Sequence, residues 1–194
     1  MTGPRCGDRG FTLIEVMVAT SVLGIVMLII YSALSSGIKQ ASDVEARIQI
    51  EADVRAMADP FVRDLRQAYT GDATLNRIGS MAAAQITFYS PDRVTPFHLR
   101  QISYRMTGTT LERSVTTSTN TNGAPWTFGT TGAYVAMLKD VRNPTLFTYR
   151  DTAGAATTDR TQVATIELTV TVDRDPTRSP AELSYSTTTE LRGE

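Results

Sequence analysis

Arg9-Gly10-Phe11-Thr12-Leu13-Ile14-Glu15-Val16 opens an apolar stretch that runs on to Ile38, and Glu15 is the only charge between Phe11 and Ile38. From Val16 the residues read VMVATSVLGIVMLIIYSALSSGI. As a helix, Phe11 to Ile38 would extend roughly 42 Å, which is enough to cross a bilayer. Glu15 is costly there: an acid within an inserting helix is penalised by about 2.5 to 3.5 kcal/mol. Either a cation outside the helix pairs with it, or the carboxylate lies near enough to the interface to reach water.

Arg5 and Arg9 precede the apolar run and Lys39 follows it. The basic leader predicts an amino terminus on the cytoplasmic side and everything after Lys39 outside. A secretory signal peptide would begin similarly, but its apolar core is shorter and closes on a small-x-small site. The nearest candidate for such a site is Ala33 to Ser36. Gly24, Gly37 and the serines at 21, 32, 35 and 36 are small enough for helices to approach closely in lipid, or are ordinary residues of a lone anchor.

Composition narrows the remainder. The chain has 194 residues, 41% hydrophobic and 20% charged, enough for one folded domain beyond the membrane segment. Its formal charge is -1, and the leader residues Arg5, Asp8 and Arg9 carry a net +1, which leaves -2 on a chain that has lost them. That balance gives no electrostatic footprint for nucleic acid. The single cysteine, Cys6, lies in the leader, so a disulfide framework or thiolate metal site is not expected.

Beyond the membrane segment the pattern becomes periodic. Ile50, Val54, Met57, Phe61, Leu65 and Ala68 form one stripe of a helix, with Glu51, Asp53, Arg55, Arg63, Asp64 and Arg66 largely off it. This predicts an amphipathic extension over 39–70 that packs on a sheet, with a kink or brief break at Asp59-Pro60 and a close at Gly71. Strands are predicted at Gln85–Tyr89, at Leu99–Met106 returning as Leu111–Val115, at Leu146–Arg150, at Thr165–Asp173 and over Ser184 to Leu191. Val135–Val141 is strand or short helix. The polar run Thr116–Ala124 reads as a mobile loop, and Asp175–Pro180 as a break. The expected fold is α+β: a long amino-terminal transmembrane helix continuing into an amphipathic helix on an antiparallel sheet.

A short polar leader ending in Gly10, followed by Phe11-Thr12-Leu13-Ile14-Glu15-Val16, resembles the processing site of type IV prepilins and type II secretion pseudopilins. The resemblance implies cleavage between Gly10 and Phe11 by a membrane prepilin peptidase that also methylates the new amine of Phe11. It implies a pilin-like fold and an assembly role for Glu15 opposite that amine on a neighbouring subunit. The implied organisation is leader 1–10, transmembrane helix 11–38, helix extension 39–70 and a β-rich domain 71–194. The absence of proline between Phe11 and Asp59 suits a minor subunit. Leu65-Arg66-Gln67-Ala68, Ile102–Met106 with Leu111-Glu112-Arg113, Val141, Phe147–Asp151 with Gly154 and the closing strand resemble J-type minor pseudopilins and W-type minor pilins. K-type subunits generally lack the membrane glutamate.

Chemistry for catalysis is sparse. His98 is the lone histidine and lies between Phe97 and Leu99, a setting typical of a structural residue. No nucleophile elbow, phosphate-binding glycine loop or zinc-protease motif occurs. The Asp151–Asp159 loop lacks the ligand density of a calcium site. Trp126 reads either as a plug over the sheet edge or as an exposed anchor. The expectation is a non-enzymatic subunit without cofactor, metal or small-molecule ligand. Its expected partners are prepilin peptidase, other minor and major pilins or pseudopilins, and lipid of the inner membrane. The rival reading is a membrane-anchored binding protein or enzyme that uses 1–38 only as anchor or signal.

Overall fold

The computed structural model describes residues 11–174 and 182–191. The leader, with Cys6 and Gly10, and the break expected over 175–180 lie outside the described residues. The chain divides into two units, Met1–Ala46 and Arg47–Glu194.

A single helix, α1, runs from Leu13 to Arg66, and its carboxy-terminal part packs against antiparallel sheets. The architecture is α+β and pilin-like. Of the kink or brief break expected at Pro60, the break is not found: the helix is continuous through it. Proline at this position removes one helical hydrogen bond, yet Met57, Ala58 and Phe61 around it are fully buried, and that packing holds the segment helical. The last turn tightens, with the amides of Gln67 and Ala68 donating to the carbonyls of Asp64 and Leu65 at 3.2 and 3.0 Å. Gly71 then turns the chain at φ 62°, a region glycine enters freely.

The five-stranded sheet has the order β1 (Ile78–Ala82), β2 (Gln85–Pro91), β3 (Leu99–Thr107), β4 (Thr110–Thr117) and β5 (Val135–Leu138). The three-stranded sheet has the order β6 (Phe147–Arg150), β7 (Thr165–Val172) and β8 (Leu183–Glu190). All pairings are antiparallel. The β3–β4 hairpin closes on Gly108-Thr109 with Gly108 at φ 60°, the conformation a type II′ turn demands of its first residue. Val135–Leu138 resolves to a strand, and Val141 bridges to Val172 beyond it. β1 is an addition to the expected strands.

The stripe Val54, Met57, Phe61, Leu65 and Ala68 is buried, as its spacing requires. Phe61 sits at the centre of the core. Its ring meets Tyr104 edge-on at 5.2 Å and Phe88 at 6.2 Å, and lies 5.8 Å from Phe147 of the other sheet. Aromatic contacts of this kind add about 0.5 to 1.5 kcal/mol each beyond the area buried. β7 supplies Ile166, Leu168, Val170 and Val172 to the same core by strict alternation.

Two expectations need correction. Asp64 is not a solvated charge: it is buried beside the stripe, where Arg113 Nη2 donates to its Oδ2 at 2.7 Å and Arg100 and Arg63 lie at 3.8 and 4.0 Å. The run Thr116–Ala124, expected to be a mobile loop, is not loop from its start. Its first two residues complete β4, and Asn120 then braces the rest. The Asn120 amide donates to the carbonyls of Gly123 and Pro125, and its carbonyl accepts from the Thr127 amide. Side-chain amides of this kind give a polar run the backbone partners that a ladder would otherwise supply.

Candidate functional site

The candidate site lies in the first unit, at the start of α1. Thr12 stands immediately before the helix, and the T-x-x-E spacing to Glu15 forms a capping box. The Thr12 amide and hydroxyl both donate to Glu15 Oε2 at 3.0 Å, and the Glu15 amide donates back to Thr12 Oγ1 at 3.3 Å. Helix starts leave amide protons without partners, and this exchange satisfies two of them while placing a negative charge at the positive end of the helix dipole.

Phe11, at 87% exposure, and Glu15 are open to the surroundings. Gly10 lies outside the described residues. The sequence reading offers Glu15 a cation outside the helix or interfacial water, and not a partner on its own chain. Its own-chain partner was legible as T-x-x-E, a motif overshadowed by the apolar context.

From Leu13 to Leu34 every residue of α1 is exposed within the chain, including Leu28 at 70% and Ile14 at 71%. A helix apolar on all sides and exposed among the described residues is suited to lipid or to other helices. Four of its hydroxyls fold back on the helix: Thr20 donates to the Val16 carbonyl at 2.9 Å, Ser21 to Met17 at 2.8 Å, Ser35 to Ser32 at 3.0 Å and Ser36 to Ser32 at 2.9 Å. Polar side chains folded back on the helix in this way leave little unpaired polarity for hydrocarbon to meet.

Residues 5–31 match the model of the prokaryotic N-terminal methylation motif. In this segment the chain is similar to the amino termini of prepilins. The matched segment contains Gly10, Phe11, the capping box and most of the apolar helix, and with that helix it is consistent with the type IV pilin and pseudopilin family. The motif and the helix support a membrane-anchored, pilin-like subunit. No curated protein matches the chain.

Other residues weighed for chemistry have structural places. His98 Nδ1 lies 3.0 Å from the Ser118 carbonyl. Asp151 Oδ1 accepts from the amides of Ala153 and Ala155, both at 2.9 Å, and Asp159 Oδ1 accepts from the Thr161 amide at 2.9 Å. Trp126 is half-buried, and its indole donates to the Thr70 carbonyl at 2.7 Å, which ties its loop to the segment just after α1.

Proposed function

We propose that the chain is a minor pilin or pseudopilin: a non-enzymatic subunit that prepilin peptidase cuts after Gly10 and methylates on Phe11. It assembles through its amino-terminal helix into a type II secretion pseudopilus or type IV pilus, at initiation or at the tip. It resides in the inner membrane with its amino terminus cytoplasmic and the β-rich domain 71–194 outside. The observation that carries this reading is the methylation-motif match over residues 5–31, coincident with a helix whose apolar surface is exposed among the described residues.

The assembly step follows from charge. The Phe11 amine released by cleavage is cationic, and it meets Glu15 of a neighbouring subunit one step away in the stack. Pairing two charges removes a penalty that either would suffer alone in lipid, so the pair fixes axial register. The capping box keeps Glu15 in place beforehand through Oε2, leaving Oε1 for the incoming amine. A minor role rests on the uninterrupted, proline-free stretch between Phe11 and Asp59 and on the order of strands after it.

The test is incorporation. Wild-type chain and Glu15→Ala are co-expressed with the peptidase and partner subunits, and membrane insertion and co-purification are measured. Equal insertion with impaired co-purification of the variant supports the reading. Unchanged co-purification removes Glu15 from the mechanism.

A further inference from the structure

The loop after β4 holds two asparagines, and their surroundings differ sharply. Asn120 is engaged at both ends of its amide. Its Nδ2 donates to the carbonyls of Gly123 and Pro125 at 3.0 and 2.8 Å, and its Oδ1 accepts from the Thr127 amide at 2.9 Å and hydroxyl at 3.1 Å. Asn122 is exposed. Its Nδ2 reaches only Thr121 Oγ1, at 3.4 Å, and its Oδ1 has no hydrogen-bond partner among the described residues.

The other two asparagines of the chain are also held. Asn76 Oδ1 accepts from the Ile78 amide at 2.8 Å. Asn143 donates to the Thr169 carbonyl at 2.9 Å and accepts from the Thr171 amide at 2.7 Å, and the nitrogen that follows it, in Pro144, carries no proton.

The residue after Asn122 completes the contrast. Asn122 stands at φ 65°, which asparagine tolerates, and Gly123 at φ 145°, a region that a Cβ all but closes. The turn therefore selects the pair Asn-Gly. The Gly123 amide makes no hydrogen bond among the described residues, and nothing lies within 4 Å of where its Cβ would stand. The backbone nitrogen next to the Asn122 side chain is thus unbonded and unobstructed.

We propose that Asn122 is a site of spontaneous covalent modification, at which the side-chain amide gives way to isoaspartate or aspartate through a succinimide. The Gly123 nitrogen, on losing its proton to solvent base, attacks Asn122 Cγ; the new C–N bond closes a five-membered ring and ammonia leaves with Nδ2. Water then opens the ring. Cleavage at the side-chain carbonyl gives aspartate, and cleavage at the main-chain carbonyl gives isoaspartate, whose backbone runs through Cβ and Cγ. Water is consumed, ammonia is released and nothing is oxidised. The brace from Asn120 to Gly123 and Pro125 spans the altered bond, and Trp126, the next residue, is tied to the Thr70 carbonyl. The longer isoaspartyl backbone slackens that brace and loosens the indole. The site depends on neither cleavage at Gly10 nor Glu15.

The test ages the full chain in detergent micelles in mildly alkaline buffer and digests it with trypsin. Fragmentation of the peptide Ser114–Lys139 separates Asn122 from Asn120 by position. The mass gain of amide-to-acid exchange should appear at Asn122 at least about tenfold faster than at any other asparagine. Protein isoaspartate methyltransferase should label the aged wild type and leave aged Asn122→Gln unlabelled. Trp126 is the only tryptophan, so its emission reports on the loop. It should move to longer wavelength as the wild type ages, and stay in place in aged Asn122→Gln and in fresh Asn122→Asp, which adds the charge without lengthening the backbone. No gain at Asn122, an equal rate at Asn76 or Asn120, or equal labelling of Asn122→Gln overturns the site. Labelled wild type with unchanged emission, or a shift in fresh Asn122→Asp, overturns the coupling of backbone length to the loop.

Discussion

Arg113 Nη2 donates to Asp64 Oδ2 at 2.7 Å, joining β4 to a buried turn of α1 that lies 49 residues earlier in the chain. Asp64 is 3% exposed at its side chain, and Arg100 shares it from β3 at 3.8 Å. The helix is therefore held to the sheet by charge as well as by the apolar stripe. Removing one member of a buried pair leaves the other charge without compensation, at a cost of about 3 to 5 kcal/mol. Asp64→Ala should lose stability of that order in urea denaturation of the full chain in micelles, and Asp64→Asn less. Glu51→Ala, which breaks a largely exposed bridge to Arg47, should change stability by about 0.5 kcal/mol or less. Equal losses at the two sites would contradict the assignment.

Tyr104 and Tyr149 are both buried phenols with opposite expectations. Tyr104 has no hydrogen-bond partner for its hydroxyl among the described residues, and burial pushes it up to about 12. Tyr149 donates to the Ala82 carbonyl at 2.9 Å, with the Gln85 carbonyl at 3.1 Å. Tyr104→Phe should be neutral or stabilising, whereas Tyr149→Phe should lose about 1 kcal/mol. The sign with pH follows from the raised value: the contribution of neutral Tyr104 is complete below the unfolded value of about 10 and is lost as pH rises towards 12. Tyr104→Phe should therefore resist alkaline unfolding better than wild type, as read by circular dichroism across that range.

Acid sensitivity has a local source at the β3–β4 hairpin. Arg105 Nε and Thr107 Oγ1 both donate to Glu112 Oε2 at 3.0 Å, and the bond from Arg105 is the larger cause holding that carboxyl below its ordinary value. A lowered folded value means stability present above the unfolded value of about 4.3 and lost as pH falls through the folded one. Glu112→Gln should be less stable than wild type near neutrality, with the difference shrinking on acidification below about pH 4.3. A pH-independent difference would exclude titration of Glu112 as its source.

Thr12 should matter through its hydroxyl. Thr12→Val removes two bonds of the capping box but keeps the backbone amide bond to Glu15 Oε2. Processing should persist, and incorporation into the filament should fall by less than in Glu15→Ala. Incorporation equal to that of Glu15→Ala would place the Thr12 hydroxyl on a level with the carboxylate itself.

Much of the fold is written in local patterns. The stripe from Val54 to Ala68 and the alternation of β7 each declare a buried face within a few residues, so spacing alone located them. Asp64 escaped because a buried acid differs from a solvated one only by partners on distant strands, here Arg100 and Arg113. β1 escaped because Ile78-Gly79-Ser80-Met81-Ala82 has one β-branched apolar residue, Ile78, and takes its strand form from pairing with β2. Pro60 does not break the helix, since core packing outweighs its local penalty. At the site, Phe11 and Glu15 stood out by chemistry against an apolar background, while the Thr12 partner needed attention to a spacing three residues long.

The most direct measurement is the mass of the amino-terminal peptide of the chain purified from cells with and without an active prepilin peptidase. The account predicts a peptide that begins at Phe11 and carries one added methyl group when the peptidase is active, and an intact leader when it is not. A mature chain that begins elsewhere, or that keeps residues 1–10 in the presence of the active peptidase, would contradict it.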